Sequence, residues 1–551
     1  MVDYDVVLIH PPSLYDFRKE IWFPGPIDRT VPNYTPIFIM FPIGLISIGA
    51  YLQDRGYKVK IINLAEEMIN NKEFNVEQFL FRLKSNLYAI DLHWTVHSQG
   101  AIKIAELCKK YHPDSKVVLG GLTATYFADE IISNFNFVDY VVRGEGERPL
   151  FELICNIDKV NELNQCPNLT FLDKKRGIVK TEDLKVIERL DSLDFTRLSL
   201  VEPRDRTITS PFSKENVWML PICRGCIFNC ATCGGSCYSY KKLMNRERPA
   251  FRSPRRLFED LKILDELRIN HVFLFQDPRL GGKKYVKDLL KLLKNSKWSH
   301  ITSIGLELFY PAGRSFLNYL SRNKPAEHLA LSISPESGAE FVRSAQGRVY
   351  SNEKLLLTCR YCREGNIPLG VFFMSVLGHD TPETIKETWK LWEKIFLIEE
   401  KVRGLEKIYI DVGPLIFLDP GSLAFEYPKR YGYKIRFKRF HDYYQAFKIS
   451  PHWSRWINYE IPSLGGPLKI AKVTLQSLRK LLEYKRKFNR ITDKEYWQER
   501  FFIDLDNIFI SEFDKIIKIR NFDLYQKKIR ELAEIAKDRR LGLYHILINK
   551  I

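Results

Sequence analysis

What this chain of 551 residues lacks narrows its reading before any motif is considered. No apolar run reaches the length of about eighteen residues that a membrane-spanning helix requires. The nearest, Ile37 to Tyr51, is broken by Pro42, Gly44 and Gly49, so a soluble or peripheral protein is expected. There is no internal repeat, no low-complexity segment and no long Gly/Ser linker, so the domains should pack against one another. No secretory leader is expected ahead of the first strand-like segment. Together with ten cysteines, this points to a reducing cytoplasm, where thiols stay free for metal.

Acidic charge is also in deficit. Lys and Arg number 85 against 67 Asp and Glu, a formal net charge of +18. Nucleic acid, an anionic membrane surface and an anionic substrate all suit such a balance, as does the Lys- and Glu-rich surface of a hyperthermophile protein. The length and the 45% hydrophobic content fit two to four globular domains.

Against these absences stands one concentration. Four of the ten cysteines fall within Cys223 to Cys233, in the stretch Pro-Ile-Cys-Arg-Gly-Cys-Ile-Phe-Asn-Cys-Ala-Thr-Cys from Pro221. Cys226, Cys230 and Cys233 are spaced C-x3-C-x2-C, whereas a closed zinc site wants four ligands, usually as two pairs. Three thiolates on one loop suit a 4Fe-4S cluster with one iron left open. A zinc loop completed by Cys223 or Cys237 is the other reading. Cys359 and Cys362 form a further C-x2-C inside an expected helix and, lacking a second pair, read as buried thiols.

The cysteine spacing, with Phe228 ahead of Cys230, resembles the signature of the radical S-adenosylmethionine (SAM) enzymes. The resemblance implies that the open iron chelates the amino and carboxylate groups of SAM. It also implies an electron donor such as ferredoxin or flavodoxin.

Upstream, residues 1–150 alternate strand and helix. Strands are expected at Tyr4–Ile9, Lys58–Asn63, Leu87–His93, Lys116–Leu119 and Val138–Val142, with helices at Ile43–Arg55, Val76–Lys84 and Gln99–Tyr111 between them. That order predicts a doubly wound, Rossmann-like parallel sheet that binds ligands at the carboxyl ends of its strands, where Gly120-Gly121 and Arg143-Gly-Glu-Gly-Glu147 fall. The arrangement resembles the cobalamin-binding domain that precedes many radical SAM enzymes, with Gly120 and Gly121 in the cofactor site. The Asp-x-His-x-x-Gly motif of that domain, whose histidine replaces the lower ligand of cobalt, is missing. His10-Pro-Pro-Ser-Leu-Tyr15 follows the first strand instead. His10, His93 and His97 each read as ordinary hydrogen-bonded histidines.

Residues 151–215 read as a connecting arm, with prolines at 203 and 211. Residues 216–425 then give strands at Trp218–Ile222, His271–Phe275, Ile304–Leu308, Ala330–Ile333, Leu369–Val376 and Lys407–Val412, the last leading to Pro414. Six strand-helix units predict a partial (β/α)6 barrel, with its chemistry at the strands' carboxyl ends. By the resemblance, Asp277 faces the amino group of SAM, Ser334 and Glu336 hold its ribose and methionyl end, and Arg343 binds its carboxylate. The Pro335 insertion leaves the register of Ser334 open. His379, in Leu377-Gly-His-Asp380, departs from the turn that relatives place beside the adenine.

Residues 426–551 are expected to be mainly helical. The segment Leu468 to Arg490 carries eight basic residues and one acid, Glu483, with apolar residues at helical spacing. Such a helix suits an anionic lipid surface or docking on its own core. The resemblance implies radical chemistry on an unactivated carbon. The preferred substrate is a membrane lipid, through cyclopentane ring formation in archaeal tetraethers. Lipid head-group synthesis, C-methylation of a small metabolite or peptide, and tRNA modification are the alternatives, and nucleic acid is disfavoured because no RNA-binding module is appended. A sensor that binds a cluster or cobalamin without catalysis would need the triad but not Asp277 or Glu336.

Overall fold

The structure is a computed structural model that describes residues 3–23, 38, 40–159, 162–181, 184–210, 214–400, 407–413 and 415–538. Ile37, Pro211 and Pro414 lie outside them.

The first sheet is built on strand β1 (Tyr4–His10), which is buried along its last five residues. It lies between β2 (Val59–Asn63) and β3 (Ser85–Asp91), parallel to both. β4 (Lys116–Gly120) and β5 (Tyr140–Val142) extend the parallel sheet. The expected arm adds three more strands. β6 (Leu169–Asp173) and β7 (Gly177–Lys180) form an antiparallel hairpin on β5, and β8 (Val201–Glu202) pairs with β2 at the opposite edge. The resulting order is β7-β6-β5-β4-β3-β1-β2-β8. Residues 151–215 are therefore less a linker than the two rims of the first domain.

The second sheet opens with β9 (Val217–Pro221), and the cysteine loop leaves its carboxyl end through β10 (Cys223–Arg224), which pairs with β11 (Ala250–Phe251). β12 (His271–Phe275), β13 (Ser303–Leu308), β14 (His328–Glu336), β15 (Leu369–Met374) and β16 (Ile408–Gly413) follow in sequence, all parallel, in the order β16-β15-β14-β13-β12-β9. This is the open six-stranded barrel that the sequence predicts. Alternation is visible in β13, where Ile304, Leu306 and Leu308 are buried and Ser303, Gly305 and Glu307 are half-buried. Pro335 has no N–H to give the ladder, and the pairing of β14 with β15 shifts register between Ile333 and Glu336. Glu336 follows this bulge with a φ of 66°.

Two cores weld the parts together. Val6, Leu8 and Ile61 on one face of the first sheet share a core with Leu220 and Leu274 of the barrel. Val7, Ile9 and Ile62 on the other face share a second core with Phe440, Trp456 and Ile470 of the C-terminal region. Each such side chain withdrawn from water is worth about 1.5–3 kcal/mol, so the domains form one packed body, as the absence of a linker implies.

The basic helix spans Pro467–Lys487. It lies on the barrel helix Pro382–Glu400, with Trp389 Nε1 donating to Ser477 Oγ at 3.3 Å and Phe396 stacked on Phe488 at 5.3 Å. Its other side meets helix Asp493–Ile516, where Arg479 pairs with Asp504. Arg486 is paired with Asp493 at 2.9 Å and Lys487 with Glu393 at 2.7 Å. Thr474 hydrogen-bonds Ser375, just past the carboxyl end of β15, so the helix enters near the barrel mouth and runs away from it. Of the three consecutive bases near its carboxyl end, Lys485 lies close enough to Asp411 on β16 to oppose the rise that burial gives that carboxyl, while Arg486 and Lys487 are the ones held in the ion pairs above. Among the described residues, no helix is long and apolar enough to cross a membrane.

Candidate active site

The cysteine loop is fixed by its backbone. Gly225 adopts a φ of 103°, and a Cβ there would come within 2.9 Å of Pro249 Cα, so only glycine suits the turn. Phe228 N–H donates to Cys226 Sγ at 3.4 Å, and Gly235 N–H to Cys233 Sγ at 3.3 Å. Such donors favour thiolates. Burial works against them, pushing the Cys230 thiol up to about 11 and those of Cys226 and Cys233 upward as well. The thiolate form is reached by exchanging protons for iron. Phe228 lies edge-on to Phe309, with ring centroids 5.8 Å apart, and packs the loop against the end of β13.

Among the described residues, no three His, Cys, Asp or Glu side chains are placed to hold a single metal ion. Cys223 is buried, donates to Gly225 O at 3.7 Å and is pushed up to about 12 by burial. Cys237 is bound through its N–H to Phe228 O at 2.8 Å. Cys359 and Cys362 are both fully buried on helix Asn352–Glu364.

Around the barrel rim the structure redistributes the expected roles. Asp277 stands at the end of β12, fully buried, but its carboxylate already accepts from Arg279 Nη2 at 2.6 Å, Arg279 Nε at 2.9 Å and Phe309 N at 2.9 Å. It is not a free acceptor for an ammonium. Arg343 is also fully buried and spent, donating to Ser337 O at 3.0 Å, Tyr350 O at 2.8 Å and the Asn352 side chain. The arginine turned toward the cluster loop is Arg348. Its Nε donates to Glu336 Oε1 at 2.6 Å, and Cys230 and Glu336 both raise its pKa against the opposing effect of burial. Glu336 keeps its second oxygen, Oε2, buried and without a partner, and an orphan carboxylate oxygen is costly unless a ligand completes it. Beside it, the Tyr350 hydroxyl is also buried and unpartnered. These atoms fit the cationic and hydroxyl groups of SAM. Ser334 is half-buried on β14, ahead of Pro335. His379, with a φ of 70°, meets Arg430 O at 3.0 Å through Nε2.

Between the first sheet and the barrel lies a cavity of about 520 Å3. Strand ends of the first sheet form one wall, including Gly120, Gly121 and His93. β9 and the start of the cysteine loop form the other, including Met219, Cys223 and Arg224. A Cβ on Gly120 would meet only Val142 O, at 3.8 Å, and would otherwise project into open space. At Gly121, with a φ of 108°, it would strike His93 Cα at 2.6 Å. Phe41, Ile43, Leu45, Phe195 and Phe275 make the lining apolar, as a broad, mostly hydrocarbon macrocycle such as corrin requires.

Below the cavity, His10 Nδ1 is 3.0 Å from Asp91 Oδ2, and its ring meets His97 edge-on at 4.9 Å. Burial raises the Asp91 carboxyl, but its bond to His10 outweighs this and holds it low. Burial holds the His97 imidazole down to about 3, so the ring is neutral. His93 alone of the three lines the cavity. The acids of Arg143-Gly-Glu-Gly-Glu147 reach the cavity wall already paired. Glu145 and Glu147 take Arg224, and Glu145 also takes Arg246. Sequence reasoning passed over this network, because nothing in the spacing connects residue 147 to residue 224.

Cysteine loop, barrel rim and apolar cavity thus lie at the carboxyl ends of two adjoining parallel sheets. The B12-binding domain family matches residues 34–154 and the Radical SAM superfamily residues 220–391. The chain thus carries a B12-binding domain joined to a radical SAM domain. It is 21% identical to the anaerobic magnesium-protoporphyrin IX monomethyl ester cyclase of Rubrivivax gelatinosus over 65% of this chain and 62% of that protein. It is 24% identical to an uncharacterized methyltransferase of Pyrococcus horikoshii over 52% of this chain and 57% of that one. The chain thus spans about three fifths of the length of these relatives. Among solved structures, the radical SAM methyltransferase TsrM from Kitasatospora setae, with cobalamin and a [4Fe-4S] cluster bound, aligns over 97% of this chain and 99% of its own, with a TM-score of 0.58 and 14% identity. The cobalamin-dependent radical enzyme OxsB, with aqua-cobalamin and SAM bound, aligns over 99% and 78%, with a TM-score of 0.58 and 12% identity. At these identities the likeness establishes the fold.

Proposed function

We propose that the protein is a cobalamin-dependent radical SAM enzyme that methylates or cyclises its substrate at a carbon that acid-base chemistry does not activate. The observation that carries this reading is the shared wall. Cys223 and Arg224 belong both to the cysteine loop and to the lining of the cavity beneath Gly120 and Gly121, so the two cofactor sites adjoin.

When bound, a cluster on Cys226, Cys230 and Cys233 supplies the electron that cleaves SAM reductively, and cobalamin supplies a transferable methyl group or a redox partner. The chain's own residues do the rest. Glu336, oriented by Arg348 and with Oε2 unpartnered, would hold SAM. Phe228 packs the loop edge-on against Phe309 at the end of β13. The apolar walls hold the macrocycle against the barrel.

The deciding experiment is anaerobic turnover of reconstituted protein with candidate substrates, scored for two products of SAM. Methylation yields S-adenosylhomocysteine, with or without 5'-deoxyadenosine, whereas ring formation yields 5'-deoxyadenosine alone. Absence of both, with cofactors loaded, would sink the reading.

Ring formation on an archaeal tetraether lipid, or head-group synthesis, remains the finer reading to test. The net charge of +18 favours an anionic substrate. The pairing of Arg486 with Asp493 and of Lys487 with Glu393 weighs against a membrane-facing helix. A deletion strain with unchanged ring number and head groups would remove the lipid and leave a smaller substrate.

A further inference from the structure

The contact between the two cofactor sites is an ion-pair network rather than a simple packing surface. Arg224 stands two residues before Cys226. Its Nη1 lies 3.1 Å from Glu145 Oε2 and 3.2 Å from Glu147 Oε2, and its Nη2 lies 2.7 Å from Glu147 Oε1. Arg246, which follows the cysteine loop, gives Glu145 Oε1 a bond of 2.7 Å and donates to Ile187 O at 2.8 Å. Glu147 also accepts from Ser47 at 2.7 Å, and Glu145 from Ile187 N at 2.8 Å. The two carboxylates and two guanidiniums balance in charge, and both carboxylates and Arg246 are almost fully buried. Glu145, Glu147 and Arg224 also line the cavity. One side chain is thus held by the B12-binding domain at one end and tied through Gly225 to a cluster ligand at the other.

We propose that Arg224 is a positioning residue that couples the two cofactor sites, so that a filled cavity tightens the cluster loop and a loaded cluster tightens the cavity. The proposal rests on the cofactor reading above. Filling the cavity immobilises the loop of Glu145 and Glu147, which fixes Arg224 and, through it, Cys226. Coupling between binding sites is reciprocal, so each cofactor must raise the affinity for the other by the same factor. A buried fork of this kind depends on bidentate geometry, which lysine keeps in charge but not in shape.

The test is an anaerobic absorbance titration of full-length protein with hydroxocobalamin, with the cluster reconstituted and with iron stripped. The wild type should bind cobalamin about tenfold more tightly with the cluster present, within the range usual for coupled sites. Equilibrium iron occupancy against a chelator should shift by the same factor when cobalamin is added. In Arg224→Lys, cobalamin should still bind, but both shifts should fall below about twofold, the level at which coupling is lost. Equal cobalamin affinity in the two wild-type samples would overturn the proposal, as would full coupling in Arg224→Lys. If the variant does not fold, the wild-type pair decides alone. Failure of cobalamin to bind under any condition would overturn the cofactor reading and this proposal together, whereas binding without coupling overturns only this one.

Discussion

The two halves of the site are built on opposite principles. The cavity at the first sheet's strand ends is made chiefly by leaving things out, with glycines at the strand ends, mostly apolar walls, a neutral His97 below, and lining charges on Glu145, Glu147 and Arg224 that are paired with one another. The barrel rim is made by putting charge in, with Glu336 and Arg348 beside the thiols and a carboxylate oxygen left unpartnered. A bulky macrocycle is held by shape and a small zwitterion by paired charges. Substitutions should therefore fail differently in the two places.

The largest effect is expected at the thiols. Alanine at Cys226, Cys230 or Cys233 should reduce iron from about four per chain to almost none. Cys359→Ala should keep the iron and cost only about 1 kcal/mol of stability, for one small buried group. Iron analysis after reconstitution decides. Loss of iron in the Cys359 variant with retention in the others would reverse the assignment.

Next comes the rim, where Glu336→Gln should weaken SAM binding by about 10- to 100-fold, the value of a hydrogen bond to a charged group. Asp277→Asn should chiefly lower stability, since its partner is Arg279. Calorimetric titration with SAM separates them, and equal losses of affinity would return Asp277 to the cofactor.

In the cavity the expected signature is steric. Gly120→Val should reduce cobalamin affinity at least about tenfold, because its side chain fills space that the ligand needs, while thermal stability stays near wild type. Gly121→Ala should cost about 1–3 kcal/mol through backbone strain. A Gly120 variant with unchanged cobalamin binding would place the cofactor elsewhere.

How far this contrast could be read from the sequence depended on distance along the chain. The thiols were legible because their ligand spacing lies within one loop, and the two sheets because strand-helix alternation is local. Glu336, just past the bulge at Pro335, carries the open oxygen, whereas the Asp277 carboxylate is taken by Arg279 and Phe309 N. A proline's effect on register is visible in sequence only as an ambiguity. Arg343 and Arg348 lie five residues apart, and the sequence favoured the one that the structure spends on Ser337 O and Tyr350 O. Helix Glu340–Ala345 ends between them, and the turn beyond it carries Arg348 toward Cys230. The link from Glu147 to Arg224 spans 77 residues and has no local signature.

A smaller effect should appear with pH. His97 and His452 are buried and held down to about 3 by desolvation. Below an ordinary histidine pKa near 6.5, the unfolded chain takes up protons that these folded sites refuse. Stability should therefore fall as pH drops from about 6.5 toward 3, by on the order of 2 kcal/mol per histidine at pH 5. Replacing His452, which stacks on Phe513 at 4.7 Å, by Phe should flatten the fall in Tm between pH 7.5 and pH 5. An unchanged slope would mean that the ring is not buried neutral. The smallest effect is expected at Lys485, Arg486 and Lys487. Changing all three to Gln should leave sedimentation with anionic liposomes unaltered, and a marked, salt-sensitive loss would restore the membrane-facing helix.

The central claim is that cobalamin and cluster occupy adjoining sites across one cavity wall. Electron paramagnetic resonance tests this most directly, by power saturation of the cob(II)alamin signal in anaerobic protein with the cluster reduced or absent. The account predicts faster relaxation when the reduced cluster is present, and loss of that enhancement in Cys230→Ala. Identical saturation with and without a fully loaded, reduced cluster would contradict it.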